Sequence, residues 1–181
     1  MQLETWKQPI QASIREIPNF PKPGILFYDI TPLLQNPSAF RLTTTAFEKE
    51  FAGKNITKIA SMEARGFIFG SVLAQHMQVG FIPIRKKGKL PFQTLSQNYG
   101  LEYRENDCVE MHTDAIVPGD NVLIIDDVLA TGRTATAAAQ LVEKAGGKVE
   151  GMGFLIEFTF LSGRKKLEKY PIYSILQYDK G

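Results

Sequence analysis

A chain of 181 residues, 44% hydrophobic and 22% charged, has the size and composition of one ordinary globular domain with a single substantial core, which argues against a two-domain arrangement. Its 21 basic residues nearly balance 19 acidic ones, for a net charge of +2, so the broad positive field of a dedicated nucleic-acid binder is absent. The single cysteine, Cys108, excludes an intrachain disulfide, fits a reducing compartment, and has no neighbouring histidine or helix start to activate it.

The N-terminal stretch MQLETWKQPIQASIREI carries acidic residues and no apolar run of signal-peptide length. No segment reaches the about eighteen unbroken apolar residues of a membrane span. A cytoplasmic protein with no membrane partner is the expectation. The spacing predicts a helix over Thr5 to Ile17, ended by Pro18, Pro21 and Pro23, since each proline removes a donor and displaces its predecessor from the helical region. The segment FPKPGILFYDITPLL follows as a rigid, extended turn, and Ser38 serves as the expected N-cap of a helix reaching Ala52.

The order then becomes strand, helix, strand: KIASM at 58–62, a helix from Gly66 to Met77, and VGFIPIRK. Residues 86–108, KKGKLPFQTLSQNYGLEYRENDC, are polar and long for a structureless connection, a pattern typical of a flexible lid loop. DNVLIID has the continuous apolar character of a strand buried on both faces. A helix from Arg133 to Ala145 ends at Gly146-Gly147, VEGMGFLIEF forms the next strand, GRKKLEKY a short helix, and IYSILQY the last strand. This alternation predicts a doubly wound α/β domain with a mainly parallel central sheet and flanking helices, its ligands beyond the carboxyl ends of the strands.

The motif VLIIDDVLATGRT lies where such a ligand would sit. Asp126 and Asp127 suit a vicinal diol, because ionised carboxylates accept hydrogen bonds from two neighbouring hydroxyls. The turn Ala130, Thr131, Gly132, Arg133 and Thr134 opens a helix, so several backbone N–H groups and the positive end of the helix dipole face one anion. A ribose 5-phosphate offers both the diol and the anion. The turn lacks the Gly-Lys-Ser/Thr ending of a nucleoside-triphosphate P-loop, which argues against an ATPase.

VLIIDDVLATGRTA resembles the signature of the type I phosphoribosyltransferases, which bind 5-phosphoribosyl 1-diphosphate at two acids followed by a TG-containing loop. IPNFPKPGILFYDITPLL, EARGFIFG, IRKKGKLP and LEY resemble the adenine-using members, and the likeness runs from about residue 14 to the C-terminus. The resemblance implies a single domain over 1–181, with a small N-terminal hood over about 1–35 and the lid over about 86–108. It implies transfer of the 5-phosphoribosyl group to adenine, giving AMP and diphosphate with inversion at the anomeric carbon, in a homodimer. The same chemistry on hypoxanthine, guanine or xanthine is the alternative. A non-catalytic sensor of the donor is a further one, though such proteins usually append a DNA-reading domain.

On that resemblance, Ala64 and Arg65 meet the diphosphate, an assignment that suits the planar fork of arginine, while Gly66 lets the backbone come close. A basic run is ordinarily a solvated face; by similarity Arg85, Lys86 and Lys89 turn to the diphosphate, one of them across a subunit boundary. Glu102, by resemblance alone, exchanges a proton with the purine, and Leu26, Phe27, Tyr28 and Phe158 receive the base, although each apolar one equally suits a core. Mg²⁺ is expected to arrive with the substrate's phosphates, without a dedicated protein cluster. Two positions depart from the family pattern: Tyr28 stands where many members have arginine, and Arg133 replaces the second glycine of A-T-G-G-T.

Overall fold

The computed structural model describes residues 6–99 and 108–180. The expected first helix is shorter: α1 spans Lys7–Ala12, and Arg15–Pro18 is instead a strand, β1, paired antiparallel with β2, Leu26–Asp29. The prolines fit because β1 belongs to a two-stranded ribbon whose outer edge needs no ladder donor. Helix α2, Thr31–Gln35, follows. Helix α3, Pro37–Phe51, is capped by Asn36 and not by Ser38: the Asn36 Oδ1 accepts from the Ser38 N–H at 3.1 Å and the Ala39 N–H at 3.2 Å. Pro37 then occupies the first turn, where its missing donor costs nothing.

Strands β3 (Lys58–Met62) and β4 (Gly80–Lys86) flank helix α4, Arg65–Met77. The stretch 86–108 is not structureless throughout: Thr94–Asn98 forms β5, which pairs antiparallel with β6, Cys108–His112. β7 runs Asn121–Leu129, further than expected, so that Asp126 and Asp127 lie within the strand. After α5 (Arg133–Lys144) comes β8, Lys148–Phe158. The GRKKLEKY segment forms a 3₁₀ turn, Gly163–Leu167, and β9 is Ile172–Tyr178.

Seven strands make one sheet in the order β5-β6-β4-β3-β7-β8-β9. The five from β4 to β9 are parallel, and β5 and β6 extend one edge antiparallel. Successive residues of β7 explain its unbroken apolar run. Val122 and Ile124 point into the cluster with Ala138, Leu141 and Val142 of α5, whereas Leu123 and Ile125 point into the cluster with Phe47 and Phe51 of α3 and Phe69 and Leu73 of α4. Each such buried side chain stabilises the fold by about 1.5–3 kcal/mol. The two-layer cover holds the carboxyl ends of β3, β4, β7 and β8 at one rim. Cys108 is buried, and among the described residues no helix is long and apolar enough to cross a membrane.

Candidate active site

The rim is assembled where glycine permits α4 to press against the sheet. A Cβ on Gly66 would lie 2.6 Å from Asp126 Oδ1 and 3.2 Å from the Ile125 carbonyl oxygen, so only glycine allows this approach. The helix start thereby presents Arg65 to the end of β7. Its Nε lies 2.7 Å from Asp127 Oδ2, and its guanidinium carbon stands 5.8 Å from the centre of the Phe27 ring. The Arg65–Asp127 contact is a charge contact without hydrogen-bond alignment, since the buried Oδ2 has no hydrogen-bond partner.

Asp126 Oδ1 accepts from the Asp127 N–H at 2.9 Å. Burial pushes the Asp126 carboxyl well above the usual carboxylate range, and the neighbouring Asp127 charge adds to the effect. Burial raises Asp127 as well, against the pull of Arg65. Two acids held this way are costly until hydroxyl donors or cations approach. Directly beyond them, Asp126, Val128, Leu129 and the turn Ala130, Thr131, Gly132, Arg133, Thr134 line a concavity of about 80 Å³. The first-turn N–H groups of α5 have no partner within the helix and open here. Gly132 adopts φ +76°, a left-handed value that bends the chain from strand into helix.

A separate apolar pocket of about 370 Å³ is lined by Gly24, Ile25, Leu26, Phe158, Phe160 and Leu161. Leu26 and Phe158, two of the residues expected to receive the base, are part of this lining. Phe27 stands beside it under Arg65, edge-on to Phe20 at 5.2 Å. The Tyr28 ring is not part of that lining: it is buried, 5.3 Å from Phe158 and 4.2 Å from Tyr178 between ring centres, because inward positions of a strand point into the core. Such packing accounts for an aromatic residue at position 28.

At the end of β4, Arg85 is tied down. Its Nε donates to Glu63 Oε2 at 2.7 Å and its Nη1 to the Lys89 carbonyl at 3.0 Å, while Lys86 and Lys89 are exposed. The turn is pinned by the buried Glu110, whose Oε2 accepts from the Gly88 N–H at 2.9 Å. Ala64 is exposed at the N-cap of α4. Glu102 lies outside the described residues. Among the described residues no group of three or more His, Cys, Asp or Glu side chains is placed to hold a metal ion. Sequence reasoning passed over Glu63, which positions Arg85, and Ile25, Phe160 and Leu161, whose large exposed apolar side chains beside Gly24 were the available signal.

A family model described as phosphoribosyl transferase domain matches residues 29–177. The adenine phosphoribosyltransferase of Maridesulfovibrio salexigens is 56% identical over 91% of this chain and 96% of its own length. That of Koribacter versatilis is 51% identical over 94% and 93%. Among solved structures, the adenine phosphoribosyltransferase of Thermoanaerobacter pseudethanolicus superposes with a TM-score of 0.90 at 50% identity, covering 95% of this chain and 99% of that one. The Saccharomyces cerevisiae enzyme, solved with D-2,5-dideoxy-2,5-imino-altritol 1,6-bisphosphate and adenine, gives a TM-score of 0.89 at 40% identity, covering 95% and 99%.

Proposed function

The chain belongs to the phosphoribosyl transferase family, and from that premise we propose that it is an enzyme joining adenine to the 5-phosphoribosyl group of 5-phosphoribosyl 1-diphosphate, releasing AMP and diphosphate. The observation that carries the reading is the rim itself: Asp126 and the buried Asp127 run directly into an anion-sized concavity, and Arg65, paired with Asp127, also lies over Phe27, the neighbour of Leu26 in the apolar pocket.

In this reading Asp126 and Asp127 accept from the two ribose hydroxyls, and Ala130 to Thr134, with the Arg133 guanidinium, hold the 5-phosphate. Ala64 and Arg65, together with Arg85, Lys86 and Lys89, hold the diphosphate. Leu26, Phe27 and Phe158 sandwich the flat base, to which Tyr28 offers its backbone. As the glycosidic bond to diphosphate loosens, the sugar takes on oxocarbenium character and negative charge grows on the leaving oxygens, where fixed cations act most strongly. Glu102 exchanges a proton with the purine, worth about a hundredfold in rate. The donor set suits Mg²⁺ bound through the substrate: Asp126 and Asp127 would stand beside the donor's diphosphate, Asp127 Oδ2 is buried with only a charge contact to Arg65, and the ion would offset charge on the leaving diphosphate.

The chain acts as one domain with the hood at about 1–35 and the lid at about 86–108, in a cytoplasmic homodimer that binds neither nucleic acid nor membrane. The test is AMP formation from labelled adenine, the donor and Mg²⁺, beside hypoxanthine and guanine controls. AMP from adenine alone is expected. Preference for a 6-oxopurine would overturn the base assignment, donor binding without turnover the enzymatic one, and full activity after complete chelation the metal requirement.

A further inference from the structure

The 3₁₀ turn Gly163–Leu167 has no role in the chemistry above, yet it lies against the phosphate cradle. A Cβ on Gly132 would stand 2.5 Å from the Gly163 carbonyl oxygen, and one on Gly163 would strike the Ala130 carbonyl oxygen and come 2.8 Å from the Gly132 nitrogen. The two backbones are therefore back to back, with no room for a side chain or a water between them. Three residues further along the same turn, the Lys166 ammonium donates to the Thr131 carbonyl at 2.8 Å.

The turn is itself well anchored. Arg164 donates from Nε to Glu157 Oε1 at 2.9 Å, from Nη2 to Glu157 Oε2 at 2.5 Å and from Nη1 to the Ile172 carbonyl at 3.2 Å. Leu167 is fully buried, and the Tyr170 hydroxyl donates to Glu143 of α5 at 2.8 Å. Lys166 thus reaches the loop from a fixed platform, unlike an ordinary surface lysine. A loop that aims its N–H groups at an anion leaves carbonyls on its outer side. A cation on one of those carbonyls fixes the peptide plane and adds positive charge behind the anion.

We propose that Lys166 is a positioning residue for the 5-phosphate: it orients the Thr131–Gly132 peptide from outside the cradle and strengthens phosphate binding without touching the bond that breaks. The proposal rests on the donor-site reading given above. Its mark is a split between the two substrates: affinity for the donor's phosphate falls, whereas kcat and the KM for adenine hold.

The experiment is calorimetric titration of ribose 5-phosphate into the purified full chain, with steady-state kinetics alongside. Lys166→Met is expected to weaken ribose 5-phosphate binding and raise the donor KM by roughly five- to tenfold, the loss of one exposed charge-assisted contact. Lys166→Gln, which keeps a donor but no charge, falls between, and Lys166→Arg restores most of the affinity. Lys169→Met is the control for surface charge, since that ammonium is held by Glu143 at 2.9 and 3.0 Å, and it leaves binding unchanged. Wild-type affinity in Lys166→Met, or a loss of kcat and melting temperature at unchanged affinity, overturns the proposal; should Lys166→Met fail to fold, Lys166→Gln decides by the same comparison. If the wild-type chain does not bind ribose 5-phosphate at all, the donor-site reading falls and takes this one with it.

Discussion

Replacing Gly132 by alanine separates two costs that meet at the Ala130–Thr134 turn. The residue sits at φ +76°, where an L side chain costs about 1–2 kcal/mol. The new Cβ would also lie 2.5 Å from the Gly163 carbonyl oxygen, a backbone atom that cannot swing aside, and overpacking of that kind costs about 1–3 kcal/mol. Together these give a loss of about 2–5 kcal/mol, and in a chain of this size each 1 kcal/mol lowers the melting temperature by about 2–4 °C. Gly24→Ala supplies the comparison: it shares a positive φ of +84° but has nothing within 4 Å of the added carbon. Calorimetric melting of both variants, with ribose 5-phosphate titrations, reads the difference. Gly132→Ala should melt well below Gly24→Ala and lose phosphate affinity as the Ala130–Thr134 turn is pushed off Gly163. Equal melting of the two variants, with wild-type affinity in both, would refute the claim that the cradle is braced from behind.

Asp126→Asn should stabilise the free protein at neutral pH by about 1 kcal/mol while weakening ribose 5-phosphate binding at least about tenfold. The folded-state pKa of Asp126 is raised, so its stabilising contribution is complete below the unfolded pKa and lost as pH rises through the folded one. Melting curves from acid to neutral pH should therefore decline less in the variant, and a lower melting temperature for the variant at neutral pH would contradict the burial argument. Glu157→Gln should act in the opposite sense. Burial of Glu157 opposes ionisation, but hydrogen bonds from Arg164, Ser174 and Gln177 outweigh it and lower the pKa. Its contribution is thus present above the unfolded pKa and disappears as pH falls through the folded one. The variant should be less stable by about 1.5–3 kcal/mol near neutrality, the value of hydrogen bonds to a charged group, with the gap closing on acidification in a melting series. A gap independent of pH would place the effect in packing instead.

The central sheet was legible in the sequence because its strands are buried on both faces and so leave runs, such as VLIID and GMGFLI, that no surface element would carry. Lys58–Met62 and Ile172–Tyr178 came out with the expected bounds for that reason. The N-terminal ribbon and the edge strands were not legible, and the cause is the converse. Arg15–Pro18 is mostly exposed and Thr94–Asn98 is partly exposed and polar, so both depend on a partner strand and not on their own periodicity. Helical spacing in the first residues was real but ended early, since β1 takes the chain at Arg15 before the prolines are reached.

The candidate site divides along the same line. Residues whose chemistry is local in sequence, such as Asp126, Asp127 and the Ala130–Thr134 turn, announced themselves, because a strand end, a tight turn and a helix start follow one another within a few residues. Residues whose meaning depends on what the fold sets opposite them did not. Glu63 is an unremarkable acid until β4 brings Arg85 to within 2.7 Å of it. The ring of Tyr28 has its place in the core only because the last strand sets Tyr178 4.2 Å from it, which leaves the backbone as the part of Tyr28 that could meet a base. Lys166 is 35 residues from Thr131 along the chain, in a run of charges that spacing alone assigns to solvent. Only the back-to-back approach of Gly163 and Gly132, which sequence cannot foresee because each glycine is unremarkable by itself, turns that lysine toward the cradle.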